Sequence, residues 1–260
     1  MFPLPILCYH KCGPIGQEGR RLNVEPRRLE AHVRFFLRRG AEFVPAGDLA
    51  ARWPERGVCL TFDDGYVSTL QHAFPALERL GVRASVYVVT DKVGGVADWE
   101  GGDGAPLAGW PELQDAQRRG FEVGCHTATH ARMDGLSEQS QRREVADALA
   151  ALREHGVEPR SFCHPYGRYD QTTLQVLRSL GVPIGLALGK RPSLPSDPVL
   201  ELPRIVVAYS DGVAMLVYKM AVRPRLRHAS GRAKRPASAV AAATAGEHRC
   251  VRDWGPCLPS

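Results

Sequence analysis

No stretch of this sequence can cross a bilayer as a helix. Its strictly apolar runs are only a few residues long, against the roughly 20 that a spanning helix needs. A disulfide framework is missing too: seven cysteines are spread through 260 residues, an odd number in a long chain. Cys8, Cys59, Cys125 and Cys163 lie in apolar runs, where a thiol usually serves as a small buried hydrophobe. No internal repeat is visible. The first eight residues carry no basic region, are interrupted by Pro3 and Pro5, and offer no small-residue cleavage site, so they do not read as a signal peptide. These absences together predict a reducing, cytoplasmic setting.

Charge excess is absent from most of the chain as well. Residues 219–235 hold seven Lys/Arg and no acid, leaving 27 basic against 28 acidic residues elsewhere. The net charge of +6 therefore describes one segment. No aromatic is interleaved among those charges, so nucleic acid is not the expected partner. An anionic membrane surface is a second option, since 213–222 followed by Arg223, Arg225 and Arg227 has the make-up of an interfacial helix. A last barrel-covering helix with a solvated tail is the plainer reading.

What is present is an alternation of short apolar runs with longer amphipathic ones. Strands are predicted over 4–9, 58–62, 84–89, 121–125, 161–164, 184–188 and 205–207, short and rich in Val, Ile, Leu, Phe and Cys. Helices are predicted over 26–39, 68–80, 111–119, 137–155 and 171–180. Pro26 and Pro111 suit a first helical turn, and Gly40, Gly81, Gly120, Gly156 and Gly181 suit the position after the last. Such βα repetition means a parallel sheet. About seven strands predict an α/β fold of the distorted or incomplete (β/α) barrel kind. Residues 1–222 form the expected catalytic domain. Residues 223–260 are basic, low in complexity and expected to be disordered. Residues 90–109 are glycine-rich and are expected to cross one mouth of the barrel, where long loops are commonly functional.

Two constellations carry chemistry. Thr61-Phe62-Asp63-Asp64-Gly65 ends a buried strand with adjacent carboxylates, a costly arrangement without a cation or dense hydrogen bonding. Neighbours in a strand point to opposite faces, so both acids can serve one site only if the chain turns there, which Gly65 permits. Asx-turn chemistry is the bland alternative. His126-Thr127-Ala128-Thr129-His130 follows another strand, and its two imidazoles can meet one ion if the segment makes a helical turn. One Asp and two His at strand ends compose the His₂-carboxylate set of a hydrolytic metal site, the second Asp remaining as a base. A third element, Phe162-Cys163-His164-Pro165-Tyr166-Gly167, is ordinary loop chemistry taken alone, and His164 reads as a structural histidine.

In this order the three elements resemble the polysaccharide deacetylase family, carbohydrate esterase family 4, whose Thr-Phe-Asp-Asp-Gly and His-(Ser/Thr)-x-x-His motifs stand intact at 61–65 and 126–130. The resemblance implies a divalent metal, most often Zn²⁺, held by Asp64, His126 and His130. It further implies Asp63 as general base and the backbone N–H of Tyr166 in an oxyanion hole. Two departures stand out. The family's third motif usually opens with Arg, where this chain has Cys163, and the late Leu-x-His that supplies the general acid is not visible. A branch similar to poly-N-acetylglucosamine deacetylases instead carries an N-terminal Tyr-His and a Leu-Pro-Arg-Ile. Both occur here, at Tyr9-His10 and 202–205. His10 is accordingly assigned as general acid and Arg204 as the cation orienting Asp63. Trp99 and Trp110 are candidates for stacking on sugar. The implied reaction is metal-dependent hydrolysis of an acetyl group, N-acetyl of an amino sugar foremost, on a glycan or glycan precursor. A catalytically dead glycan-binding protein and a cyclic-amide hydrolase are the alternatives.

Overall fold

The computed structural model describes residues 2–226. Eight parallel strands form the sheet: β1 (Ile6–Tyr9), β2 (Glu42–Phe43), β3 (Gly57–Phe62), β4 (Ser85–Val88), β5 (Glu122–Cys125), β6 (Phe162–Cys163), β7 (Gly185–Gly189) and β8 (Leu202–Val206). They run in the order β1-β8-β7-β6-β5-β4-β3-β2, and β1 also pairs with β3. That extra pairing, Ile6 with Cys59 through Tyr9 with Phe62, closes seven strands into a barrel. The two-residue β2 sits outside the ring on the first residues of β3. Every predicted strand is found; β2, too short to leave a periodic signal, was not predicted.

The helices are α1 (Ile15–Glu18), α2 (Pro26–Leu37), α3 (Phe74–Arg79), α4 (Trp110–Arg118), α5 (Glu138–Glu154), α6 (Gln171–Ser179) and α7 (Val213–Val217). Pro26 and Pro111 lie in first turns. All five predicted terminal glycines adopt positive φ, from 65° to 86°, the left-handed conformation a side chain would oppose. One prediction changes in kind: the helix expected over 68–80 opens with a π-helical turn, Thr69–Ala73, before α3. Helical backbone runs on from α7 through residue 226, and the tail expected over 223–260 otherwise lies outside the described residues. No helix among the described residues is long and apolar enough to cross a membrane.

Strand alternation sorts the core. Leu7, Tyr9, Val58, Leu60, Phe62, Val86, Val88, Phe162 and Ile205 belong to the layer packed with the helices. Their neighbours Ile6, Cys59, Tyr87, Cys163, Leu186 and Leu202 form a second cluster, as a period of two requires. At the N-terminal ends of the strands the buried Glu122 carboxylate seals the barrel. Oε2 accepts from Ser85 Oγ (2.6 Å) and from the Gly47 backbone (2.9 Å), and Oε1 from Ser161 Oγ (2.8 Å).

Candidate active site

The predicted site residues lie at the opposite, C-terminal ends of the strands. Alternation aims them. His10 continues the Ile6–Cys8 parity of β1, Asp63 that of Cys59 and Thr61, and His126 that of Glu122 and Gly124. Backbone ladders hold two of these residues just beyond their strands: Asp63 N–H donates to Tyr9 O and His126 N–H to Val88 O, each at 3.0 Å. Gly124 leaves room for this packing, since a Cβ there would stand 2.5 Å from the Tyr87 ring.

By the same parity Asp64 should face away from Asp63. The chain turns at Asp64 itself (φ 73°) and again at Gly65 (φ 82°), swinging the second carboxylate back to the mouth. The turn thus begins one residue before the glycine expected to allow it. Left-handed backbone at a residue other than glycine is costly and tends to cluster at functional sites. Here Asp64, Thr127, His130 and Tyr166 all adopt it.

The His126–His130 segment is not the helical turn expected from its spacing. It is a loop with left-handed residues at Thr127 (φ 67°) and His130 (φ 65°). Glu144 of α5 shapes it, its side chain accepting from Thr129 N–H (3.0 Å) and Thr129 Oγ1 (2.7 Å). The result still brings both rings to one acceptor: Nε2 of His126 and Nε2 of His130 each lie 3.3 Å from Asp64 Oδ1.

Among the described residues, three side-chain groups are close enough to share a cation: Asp64–His126–His130, Asp63–His126–Cys163 and Cys8–His10–Asp63. Chemistry separates them. Burial pushes the Cys8 and Cys163 thiols well up, so neither offers a thiolate, and Asp63 is already committed to Arg204. In the remaining group, His126 Nδ1 lies 2.8 Å from the Cys163 carbonyl. A carbonyl only accepts, so Nδ1 carries a proton and Nε2 is the nitrogen turned toward Asp64. Burial lowers the pKa of His130, keeping that ring neutral. Although the approaches are 3.3 Å, Asp64 Oδ1 has no hydrogen-bond partner and is buried. A buried carboxylate oxygen without a hydrogen-bond partner, facing two imidazole nitrogens, is the donor arrangement that a cation completes. Bonds of about 2.0–2.1 Å at a tetrahedral angle put neighbouring ligand atoms about 3.3 Å apart. The donor set fits a divalent metal.

Beside it Arg204, fully buried, clasps Asp63 with two hydrogen bonds, Nη1 to Oδ1 at 2.6 Å and Nη2 to Oδ2 at 2.8 Å. Nη1 also donates to Thr61 Oγ1 (3.1 Å) and Nη2 to Cys163 Sγ (2.9 Å). Burial alone would raise the Asp63 pKa; the guanidinium overcomes it and holds the carboxyl at about 2. His10 Nε2 stands 4.0 Å from Asp63 Oδ2, and Cys8 Sγ donates to that same oxygen at 3.4 Å. Cys8, read from the sequence as a small buried hydrophobe, thus also touches the site, as its position two residues before His10 on the same face allows.

The aromatic candidates divide. Trp99 lies against His130, ring centroids 4.1 Å apart, and Tyr166 touches the same imidazole at 4.5 Å. Trp110 instead stacks on His155 at the end of α5, because α4 opens at Trp110 and packs there. His164 is structural as expected: fully buried, it has Nε2 2.9 Å from Leu200 O and its ring on Tyr169.

A family model described as polysaccharide deacetylase matches residues 51–185, slightly more than half of the chain. The chain belongs to the polysaccharide deacetylase family. The match contains the three metal-binding candidates and Asp63 but neither His10 nor Arg204. Among curated relatives, the Bacillus subtilis (strain 168) protein YxkH, itself named for this family, is 25% identical over 190 residues. That stretch is 70% of this chain and 63% of YxkH, so the match leaves over a third of that protein unpaired. A poly-β-1,6-N-acetyl-D-glucosamine N-deacetylase of Staphylococcus aureus (strain MRSA252) is 20% identical over 210 residues, 74% of this chain and 70% of that one. Two solved structures share the fold. The Streptococcus pyogenes deacetylase PplD, in complex with acetate, has a TM-score of 0.72 at 23% identity, covering 84% of this chain and 98% of PplD. IcaB from Ammonifex degensii has a TM-score of 0.67 at 28% identity, covering 79% and 92%.

Proposed function

We propose that this member of the family is a metal-dependent deacetylase that hydrolyses the N-acetyl group of an amino sugar in a glycan or glycan precursor, releasing acetate. The convergence of Asp64, His126 and His130 beside an arginine-clasped Asp63 carries this reading. A divalent ion held by those three side chains, most fittingly Zn²⁺, supplies Lewis acidity toward water and an acyl carbonyl. Asp63 takes up the proton of the attacking water. Its clasp by Arg204 guarantees an ionised carboxylate at some expense of basicity, and aims Oδ2 at the mouth shared with His10. The backbone N–H of Tyr166 donates to the developing oxyanion. His10, across the Asp63 carboxylate from Arg204, returns a proton to the departing amine, which is a poor leaving group without one. Trp99 supplies an apolar wall for a sugar ring.

The test is acetate release by zinc-stripped and zinc-reloaded protein on chito-oligosaccharides, β-1,6-linked N-acetylglucosamine oligomers and an N-acetylglucosamine-bearing lipid precursor. Zinc-dependent release is expected on at least one. Stoichiometric zinc and sugar binding without release would favour the inactive glycan-binding reading. Turnover of a cyclic amide alone would favour the other alternative.

We also infer contact with an anionic membrane surface through the terminal helix. Leu216 is buried, and Val213, Val217 and Met220 pack on the core, yet Met215, Tyr218 and Val222 stay 44%, 39% and 43% exposed. These three fall on one helical face, beside the acid-free 219–235 segment. The full chain should sediment with phosphatidylglycerol-containing vesicles and not with pure phosphatidylcholine, and Met215→Ser with Val222→Ser should weaken it. Equal behaviour with both vesicles would remove the inference.

A further inference from the structure

Glu100 lies in the glycine-rich loop between β4 and α4, takes part in no strand pairing, and belongs to no motif. Its side chain is nevertheless 9% exposed. Oε2 accepts from Lys11 Nζ at 3.1 Å and Oε1 from the Tyr66 hydroxyl at 2.5 Å. Its backbone carbonyl accepts from Arg21 Nη1 at 2.7 Å. Both side-chain partners are buried, and Lys11 Nζ also sits 5.5 Å from the centre of the Tyr66 ring.

The partners' places in the chain matter more than their number. Lys11 follows His10 directly, and Tyr66 comes two residues after Asp64. Glu100 itself follows Trp99, whose ring covers the His130 imidazole at 4.1 Å. One buried carboxylate thus joins the three segments that carry His10, the Asp63–Asp64 pair and Trp99. Backbone bridges Val96–Pro106 and Tyr66–Leu107, with Ala97 and Leu107 clustered around Tyr66, fix the base of the loop, so what is left to Glu100 is the tip that carries Trp99. Gly94, Gly95, Gly101, Gly102, Gly104 and Gly109 interrupt the loop, and its other side-chain tie, Lys92 to Asp98 at 2.6 Å, is solvent-exposed and so contributes little. Removing the Glu100 carboxylate leaves Lys11 as a buried, unpaired cation, a state strongly disfavoured.

We propose that Glu100 is a positioning residue, the clamp that holds the 93–109 loop so that Trp99 walls one side of the metal-binding group and thereby sets how tightly the acetylated sugar is held. The substrate half of this rests on the function proposed above; the clamp itself does not. Glu100 touches no metal-binding candidate, so its loss should act on sugar binding more than on chemistry.

The experiment compares zinc-loaded wild type with Glu100→Ala, and with Tyr66→Phe, which removes one clamp contact while keeping the ring. Hydrogen exchange across 93–109, zinc affinity and steady-state kinetics on a chito-oligosaccharide are read on each. Glu100→Ala should raise KM about tenfold while kcat falls no more than about threefold. Exchange in 93–109 should rise, zinc affinity should stay within about threefold, and Tyr66→Phe should shift KM in the same direction by less. Unchanged exchange in both variants would overturn the clamp whatever the activity. Raised exchange with unchanged KM, or a fall confined to kcat, would overturn its role in holding sugar. A wild type that releases no acetate, alongside a loop freed by Glu100→Ala, would refute the proposed reaction and leave the clamp standing.

Discussion

Arg204 Nη2 donates to Cys163 Sγ across 2.9 Å, joining β8 to β6. The family motif that residues 162–167 resemble usually opens with arginine, where this chain has Cys163. The small thiol at 163 packs against the Arg204 guanidinium, which supplies the cation beside Asp63 from another strand. Restoring arginine by Cys163→Arg would crowd two buried guanidinium groups onto one carboxylate. A loss of about 3–5 kcal/mol is expected, the range for a buried charge without its partner. Adding Arg204→Ala should recover most of it. Urea unfolding of the three proteins checks this, and a double variant no more stable than Cys163→Arg would refute the crowding.

Asp63 and Asp64 are adjacent yet face different partners, and their substitutions should separate. Asp64→Ala should abolish stoichiometric zinc binding. Asp63→Asn should retain zinc while acetate release drops about 100-fold or more, with some loss of stability because Arg204 loses its ionised partner. Zinc analysis beside an acetate assay distinguishes them. Equal loss of metal in both would mean that the roles are wrongly divided.

Gly65 is needed for more than flexibility. Its φ is 82°, and a Cβ there would stand 3.0 Å from Val88 Cγ1. Gly65→Ala should cost about 1–2 kcal/mol from left-handed strain and crowding. By displacing Asp64 it should weaken zinc affinity about 10-fold or more, as losses around a ligand commonly do. Thermal unfolding with zinc titration measures both. A destabilised variant with wild-type zinc affinity would show that the turn does not set the ligand.

Two buried histidines should set the acid limit of stability. Burial lowers His32 and His164 from 6.5 to about 4. His32 is neutral with both nitrogens engaged, Nδ1 by the Tyr9 hydroxyl (3.0 Å) and Nε2 by Asp211 O (2.9 Å). Between pH 6.5 and 4 the unfolded chain binds these protons and the folded chain does not, so stability falls as pH falls. Each site contributes a slope of at most about 1.4 kcal/mol per pH unit and about 3 kcal/mol over the whole window. Denaturant midpoints measured from pH 7 to 4 should decline accordingly, with a shallower decline in His32→Phe. An unchanged slope in that variant would absolve His32.

The elements were legible because their signals are local. Strands such as 58–62 and 121–125 announce themselves by apolar runs, and helices such as α2 and α6 by their periodicity and their closing glycines. The same period of two that makes β3 also aims Asp63, so one half of the acid pair was written in the strand itself. The other half was not. Asp64 reaches the site through a left-handed turn at its own position, and His130 through a loop shaped by Glu144, fifteen residues away from Thr129. Spacing suggested a helical turn there because the contacts that decide otherwise are not local.

Glu100 left no trace in the sequence, being one acid in a glycine-rich loop, and it acquires meaning only when Lys11 and Tyr66 close around it. By itself the sequence determined the alternation of elements, the identity of the motif residues and the parity that turns His10, Asp63 and His126 inward. Barrel closure decided the rest. Pairing β1 with β3 and β8 is what brings His10, Asp63 and Arg204, drawn from both ends of the chain, into one low-dielectric space where a carboxylate and a guanidinium must find each other.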